Sequence, residues 1–196
     1  KKPLIFTNND SGYETAIEFK KNGVEPIILD TRKEPNSEII NEAKNLGIQI
    51  KFSYVVVAAK GYKKVKSAEI AKISEDKNEL GLLENIICDC ICVSGFWTPT
   101  IHLASQSGNK TKFDKDIDAF VPGVSKQNET TLGAANGTFT LTETLKDSFN
   151  VGYELSKKIT KNDNKIVHPT VIEKNKTTHD KFWCVPLPKG KTYKRF

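Results

Sequence analysis

Residues 1–30 read KKPLIFTNNDSGYETAIEFKKNGVEPIILD, and this stretch decides the fold. Leu4-Ile5-Phe6 is an apolar run of strand length, and TNND after it carries turn chemistry. Over 11–22, Tyr13, Ala16, Ile17 and Phe19 recur at helical spacing, and Gly23 supplies a stop. Residues 24–29 give a second apolar strand that ends in Asp30. Strand, tight turn, helix and strand in this order open a parallel, right-handed α/β sheet.

The turn of this unit can be compared with a dinucleotide-binding fingerprint, G-x-G-x-x-G. There the first glycine makes the turn, the second admits pyrophosphate and the third lets helix and strand pack. Here the three positions fall on Thr7, Asn9 and Gly12, so the packing glycine alone is present. Asn9, Asp10 and Ser11 can all cap the helix from within the chain, and a carboxylate at Asp10 repels a phosphate. Asp30 stands where an acidic residue binds an adenosine ribose, although a strand-end Asp before Thr-Arg is also ordinary. The turn is therefore expected to be a scaffold.

Farther along, a helix is expected over 37–46, stopped by Gly47, and a strand over 48–52, which completes β-α-β-α-β. Val55-Val56-Val57 and an alternating run over 65–73 predict a small antiparallel excursion, with a return to one buried strand over 86–93. The fold class expected is α/β: a Rossmann-like parallel sheet of FAD/NAD(P)-binding type with flanking helices, this excursion, and a later strand, turn and helix. The strand over 86–93 ends at Ser94-Gly95-Phe96-Trp97, at the carboxyl end where open α/β sheets place ligands. Ser94 and Gly95 are candidate cofactor contacts, and Trp97 either lines that crevice or covers the sheet end.

Past residue 94, 128–133 is weakly strand-like, and Gly133-Ala134-Ala135-Asn136-Gly137 makes a small-residue turn. It leads through Thr138 and Phe139 into a helix over 141–159. Leu141, Leu145, Phe149, Gly152, Leu155 and Ile159 form that helix's apolar stripe, with Gly152 allowing close approach. Backbone N–H groups of this turn either face an anion or belong to a close-packed turn. Gly133, Ala134, Asn136, Gly137 and Phe139 are the candidate contacts. From 161 to 196 the chain reads as a polar linker ending in a docking segment, Phe182-Trp183-Cys184-Val185-Pro186-Leu187-Pro188.

Composition narrows the function classes. Hydrophobic residues make up 37% and charged residues 28% of 196, with no apolar run approaching a membrane span, so no membrane partner is expected. The net charge of +6 rests on Lys: Arg32 and Arg195 are the two arginines among 30 basic residues, which argues against nucleic acid as a partner. Cys88, Cys90 and Cys92, spaced by two, are expected on one face of a strand as buried, reduced thiols of a cytoplasmic protein. His102, His168 and His179 have neither metal-ligand spacing nor a nucleophile partner, so no catalytic and no metal residue is assigned. With no Met anywhere, the sequence is expected to be an excerpt of a longer polypeptide.

Several stretches together resemble the alpha subunit of heterotetrameric sarcosine oxidase. They are FTNNDSGYETAIEFKKNGVEPIILDTR, CDCICVSGFWTPTIHLASQSGNK, DIDAFVPG and LGAANGTFTLTETLKDSFNVGYELSKK, spread over residues 3 to 158. The order of elements is similar to that of the pyridine nucleotide disulfide oxidoreductases. There a NAD(P)H domain is inserted into a first dinucleotide domain, and a later strand, turn and helix return to complete it.

The resemblance implies that 1–94 is the inserted NAD(P)H-type domain and 95–160 the returning segment. It also implies a NAD site completed by an upstream region. The disulfide oxidoreductases carry Gly-Asp where this chain has Gly133-Ala134, so the carboxylate that meets a flavin ribityl chain is missing, in keeping with NAD in place of FAD. The implied reaction is oxidative demethylation of sarcosine to glycine with hydrogen peroxide, the one-carbon unit passing to tetrahydrofolate. Its implied setting is an assembly with beta, gamma and delta subunits. FAD and FMN of that assembly are not assigned to residues of this chain. The alternatives are a self-sufficient NAD(P)H-dependent reductase domain and a non-catalytic subunit-docking module.

Overall fold

A computed structural model describes residues 1–95, 97–160, 167, 169–171, 180–182 and 184–189. The chain divides into two compact units, Lys1–Phe96 with Thr177–Phe196, and Trp97–Lys176. The histidines His168 and His179, Phe96 and Trp183 of the sequence reading, and most of the 161–196 linker, lie outside the described residues.

In the first unit, β1 (Pro3–Thr7), α1 (Ser11–Lys21), β2 (Ile27–Asp30), α2 (Glu38–Asn45) and β3 (Gln49–Phe52) follow the expected β-α-β-α-β order. The strand expected over 24–29 begins at Ile27, because Pro26 cannot donate to a ladder. β4 (Tyr54–Gly61), β5 (Val65–Ile73) and β6 (Leu80–Ile87) form an antiparallel meander, and β7 (Cys90–Ser94) rejoins the parallel sheet. The sheet order is β3-β2-β1-β7, all parallel. The chain steps outward from β1 to β2 and β3, then returns to the other side of β1, so the order reverses between β1 and β7.

Strand periodicity explains the two-sided core. Ile5 and Ile28 face Tyr13, Ala16 and Ile17 of α1 and Ile40 and Ala43 of α2. Their neighbours Leu4 and Leu29 point the opposite way, against Ala68 and Ile70 of the meander and Cys88. Helices thus cover one face and the meander the other, as a buried parallel sheet requires.

The continuous strand expected over 86–93 is two strands. β6 ends at Ile87, Cys88 N–H still bonds to Lys66 C=O at 3.3 Å, and Asp89 N–H turns to Lys2 C=O at 3.2 Å before β7 begins. One apolar run serves two sheets, which composition alone cannot reveal. The cysteines separate accordingly. Cys88 is buried on the meander side, while Cys92, half-buried, packs against the helix-side core. Cys90 and Cys184 are exposed, so the expectation of three buried thiols on one face is corrected. Burial pushes the Cys88 thiol pKa up, with Asp89 and Cys90 adding to it.

The second unit contains α3 (His102–Gln106), a hairpin of β8 (Thr111–Asp114) and β9 (Ala119–Pro122), a 3-10 turn (Gly133–Asn136) and α4 (Leu141–Thr160). Phe113 and Phe120 meet edge to face across the hairpin at 5.3 Å. Residues 128–132 are not strand; instead Glu129 is held by Asn109 Nδ2 at 2.6 Å and Ser107 Oγ at 2.8 Å. The α4 stripe is present but unburied: Leu141 is 56% and Ile159 82% exposed. A Cβ on Gly152 would meet nothing within 4 Å, so the expected close approach there is not made among the described residues.

Candidate functional site

The turn between β1 and α1 presents backbone N–H groups that need partners. Asn9, fully buried, supplies one for Ser11. Its Oδ1 accepts from Ser11 N–H at 2.9 Å and from Ser11 Oγ at 2.6 Å, and its Nδ2 donates to Gly95 C=O at 2.6 Å and Ser94 C=O at 3.2 Å. One amide thus caps the helix start and ties the turn to the end of β7. It occupies the position that a fingerprint glycine would leave open for pyrophosphate.

Gly12 keeps its packing role, because a Cβ there would lie 2.7 Å from both Cβ and Oγ1 of Thr7. Thr7, in the first glycine position, turns its hydroxyl onto Asn9 C=O at 2.9 Å. Asp10 is the point of correction. It makes no capping hydrogen bond from its side chain; its Oδ1 receives Arg32 Nη1 at 2.8 Å.

Arg32 also donates to Asp30, Nε to Oδ1 at 3.0 Å and Nη2 to Oδ2 at 2.8 Å, while Tyr13 Oη donates to Asp30 Oδ2 at 2.7 Å. Asp30 is fully buried and its Oδ1 accepts the Arg32 backbone N–H as well, at 2.9 Å. Its lone pairs are spent inside the protein, so the carboxylate that could hold a ribose is not free to do so. Burial works against the Arg32 charge, but hydrogen bonds and charge from Asp30 and then Asp10 outweigh it and raise the guanidinium pKa. Burial, reinforced by Asp30, raises the Tyr13 phenol pKa well above its ordinary value.

Sequence reading noticed Asp30 and Asp10 separately but missed the cluster. Asp30-Thr31-Arg32 at a strand end, with a Tyr on the buried face of the preceding helix, was the available signal. At this turn the residues present do not fit a dinucleotide: two of three glycines are replaced and both carboxylates are already engaged.

Ser94 and Gly95 lie at the end of β7 in the first unit. Ser94 Oγ is 2.8 Å from Ser11 Oγ, and both carbonyls accept from Asn9. They border a cavity of roughly 300 Å³ at the carboxyl ends of β1 and β7, with Phe6, Thr31 and Val93 among its other walls. Thr31 Oγ1, buried, has no hydrogen-bond partner among the described residues.

The other candidates lie in the second unit. Gly133 is buried, whereas Ala134, Asn136 and Phe139 are exposed. A Cβ on Gly137 would come within 2.6 Å of Ile117 Cδ1, so that glycine answers to packing as well as to its φ of 89°. Gly137 N–H bonds to Ala134 C=O at 3.2 Å and Thr138 N–H to Gly133 C=O at 3.1 Å. Thr140 then caps the start of α4, accepting from Glu143 N–H at 3.3 Å and donating its hydroxyl to Glu143 Oε2 at 2.7 Å. These N–H groups have partners, and Glu143 adds a negative charge where an anion would dock. Trp97 is 58% exposed. Among the described residues no cluster of His, Cys, Asp or Glu could hold a metal, and no helix is long and apolar enough to cross a membrane.

No family model matches the sequence. Curated relatives bear out the resemblance read from its motifs. The sarcosine oxidase subunit alpha of Corynebacterium sp. (strain P-1) is 28% identical over 151 residues, 76% of this chain and 15% of the relative. That of Rhizobium meliloti (strain 1021) is 32% identical over 135 residues, 68% of this chain and 12% of the relative. The chain therefore spans only a small part of the length of the proteins it matches.

Among solved structures, a bacillithiol disulfide reductase from Staphylococcus aureus aligns over 82% of this chain and 51% of its own, with TM-score 0.54 and 13% identity. The thioredoxin reductase of T. acidophilum aligns over 70% of this chain and 48% of its own, with TM-score 0.51 and 16% identity. At such identity the likeness concerns the fold, and it supports the Rossmann-like α/β class expected from residues 1–52.

Proposed function

We propose that this chain, similar over about 70% of its length to sarcosine oxidase alpha subunits, works as a scaffold segment of such a subunit. The whole assembly, with its beta, gamma and delta subunits, FAD and FMN, would demethylate sarcosine oxidatively to glycine and hydrogen peroxide. It would pass the one-carbon unit to tetrahydrofolate, in the cytoplasm. This chain contributes no catalytic residue to that oxidoreductase reaction.

In this reading 1–94 is an inserted Rossmann-like domain that has lost its nucleotide and 95–160 is a returning segment. NAD is held mainly by a region outside this chain. Ser94 and Gly95 of the first unit would meet that cofactor by close backbone approach, without taking the phosphates; the turn bearing Gly133, Ala134, Asn136, Gly137 and Phe139 in the second unit is a separate candidate contact. One observation carries the scaffold assignment: the Asp10–Arg32–Asp30–Tyr13 cluster engages both carboxylates of the first turn and strand end, and the Asn9 amide fills the position a fingerprint glycine leaves open and caps Ser11 N–H.

Two measurements test the reading. Isothermal titration of the chain with NAD is expected to show weak binding at most, and submicromolar affinity would overturn the scaffold role in favour of a self-sufficient reductase domain. Replacing the matching segment of a curated alpha subunit with this chain is expected to preserve sarcosine-dependent peroxide formation. A chimera that assembles with its partner subunits yet shows no such activity would overturn the subunit assignment.

A further inference from the structure

The crevice where strand order reverses, between β1 and β7, is where open α/β sheets take their ligands. In this chain it already has an occupant. Asp180 N–H donates to Asn8 C=O at 2.9 Å and Asn8 Nδ2 donates back to Asp180 C=O at 3.0 Å, a reciprocal pair of the kind by which an extended peptide is held. Lys77 Nζ pairs with the Asp180 carboxylate and lies 6.0 Å from the centroid of the Phe182 ring. Phe182, Cys184 and Val185 complete the wall of the cavity bordered by Phe6, Val93 and Ser94.

Lys77 is itself unusual, with φ of 59° at the tip of the turn between β5 and β6. Its N–H bonds to Ser74 C=O at 3.0 Å, and Asp76 fixes the turn through Ser74 Oγ and Asn78. A left-handed Lys on a braced turn is a residue held in place. Among the described residues that wall the cavity there is no Lys or Arg.

From this geometry we infer that the β1–β7 crevice is a peptide-binding site, and that its occupant is a stretch of the same chain represented by residues 180–182 and 184–185. The segment is recognised through the Asp180 N–H and C=O, which meet the Asn8 carbonyl and side-chain amide, by its acidic side chain at Lys77 and by an aromatic ring two residues later. It lies at the strand ends where an open sheet takes a ligand, and it forms one wall of the cavity that Ser94 and Thr31 border. The inference rests on contacts within the first unit and does not depend on the sarcosine oxidase reading.

Amide hydrogen exchange by NMR on the full chain tests it. The Asp180 amide is expected to exchange at least about tenfold more slowly than in an unstructured peptide. Lys77→Ala and Asp180→Ala should each speed exchange at position 180 by about fivefold, with no further gain in the double variant, since each removes the same interaction. Phe6 and Thr7 amides, which report the sheet itself, should be unchanged. Exchange at position 180 at the unstructured rate in the wild-type chain would overturn the proposal. So would strictly additive variants, or protection that rises with protein concentration, which would mean a second copy supplies the segment.

Discussion

The guanidinium of Arg32 grips the carboxylate of Asp30 through two nitrogens, at 3.0 and 2.8 Å, while its remaining nitrogen reaches Asp10 at 2.8 Å. A charge triad this deeply buried is held by its geometry, because removing one member strands the others in low dielectric. Arg32→Ala is therefore expected to cost about 3–5 kcal/mol, read as a lower urea midpoint. Arg32→Lys should recover little, since an ammonium cannot span both oxygens of Asp30 and still meet Asp10.

Asn9 predicts a second loss. Asn9→Ala removes two bonds to the Ser94 and Gly95 carbonyls and two acceptor contacts to Ser11, leaving buried groups unpaired. A destabilisation of about 2–3 kcal/mol is expected. Amide exchange should accelerate most at Ser11, the N–H that this side chain caps.

Gly12→Ala forces a Cβ to within 2.7 Å of Thr7 and should destabilise by at least about 1–3 kcal/mol. Thr7→Ala should relieve it only in part, because it removes Oγ1 and Cγ2 but leaves the Thr7 Cβ at 2.7 Å. Thr7→Gly in the Gly12→Ala background should give a double variant less destabilised than the sum of the two single changes.

Stability should fall at alkaline pH for a specific reason. The Tyr13 phenol pKa is raised in the folded chain by burial and by Asp30, so the unfolded chain loses that proton first. The contribution is present in full below the unfolded value of about 10 and shrinks as pH climbs from there toward the folded value. Comparing urea midpoints of wild type and Tyr13→Phe from pH 8 to about 11.5 should show a shallower alkaline decline in the variant.

The α4 stripe makes a prediction of the opposite kind. Leu155→Lys and Ile159→Lys change side chains that are 46% and 82% exposed, so thermal stability should move by less than about 0.5 kcal/mol. Solubility should rise, because an exposed apolar patch is reduced. A large loss of stability would mean that the stripe is covered in solution.

Sequence periodicity determined the β-α-β-α-β half of this protein and the long α4. Those patterns are local: an apolar face repeats every two residues in a strand and every three or four in a helix. The glycines at 23 and 47 mark where the helices stop. The motifs also carried the resemblance that curated relatives bear out.

Where one apolar run divides between two sheets, at Cys88 and Asp89, no local pattern changes, and only the strand pairing decided it. The same holds for the site. Asn9, Asp10, Asp30 and Arg32 are ordinary turn and strand-end residues in one dimension. Only folding brings Asp10 to Arg32 and Asn9 to Gly95, and those contacts, made between residues far apart in the chain, close the turn to a phosphate.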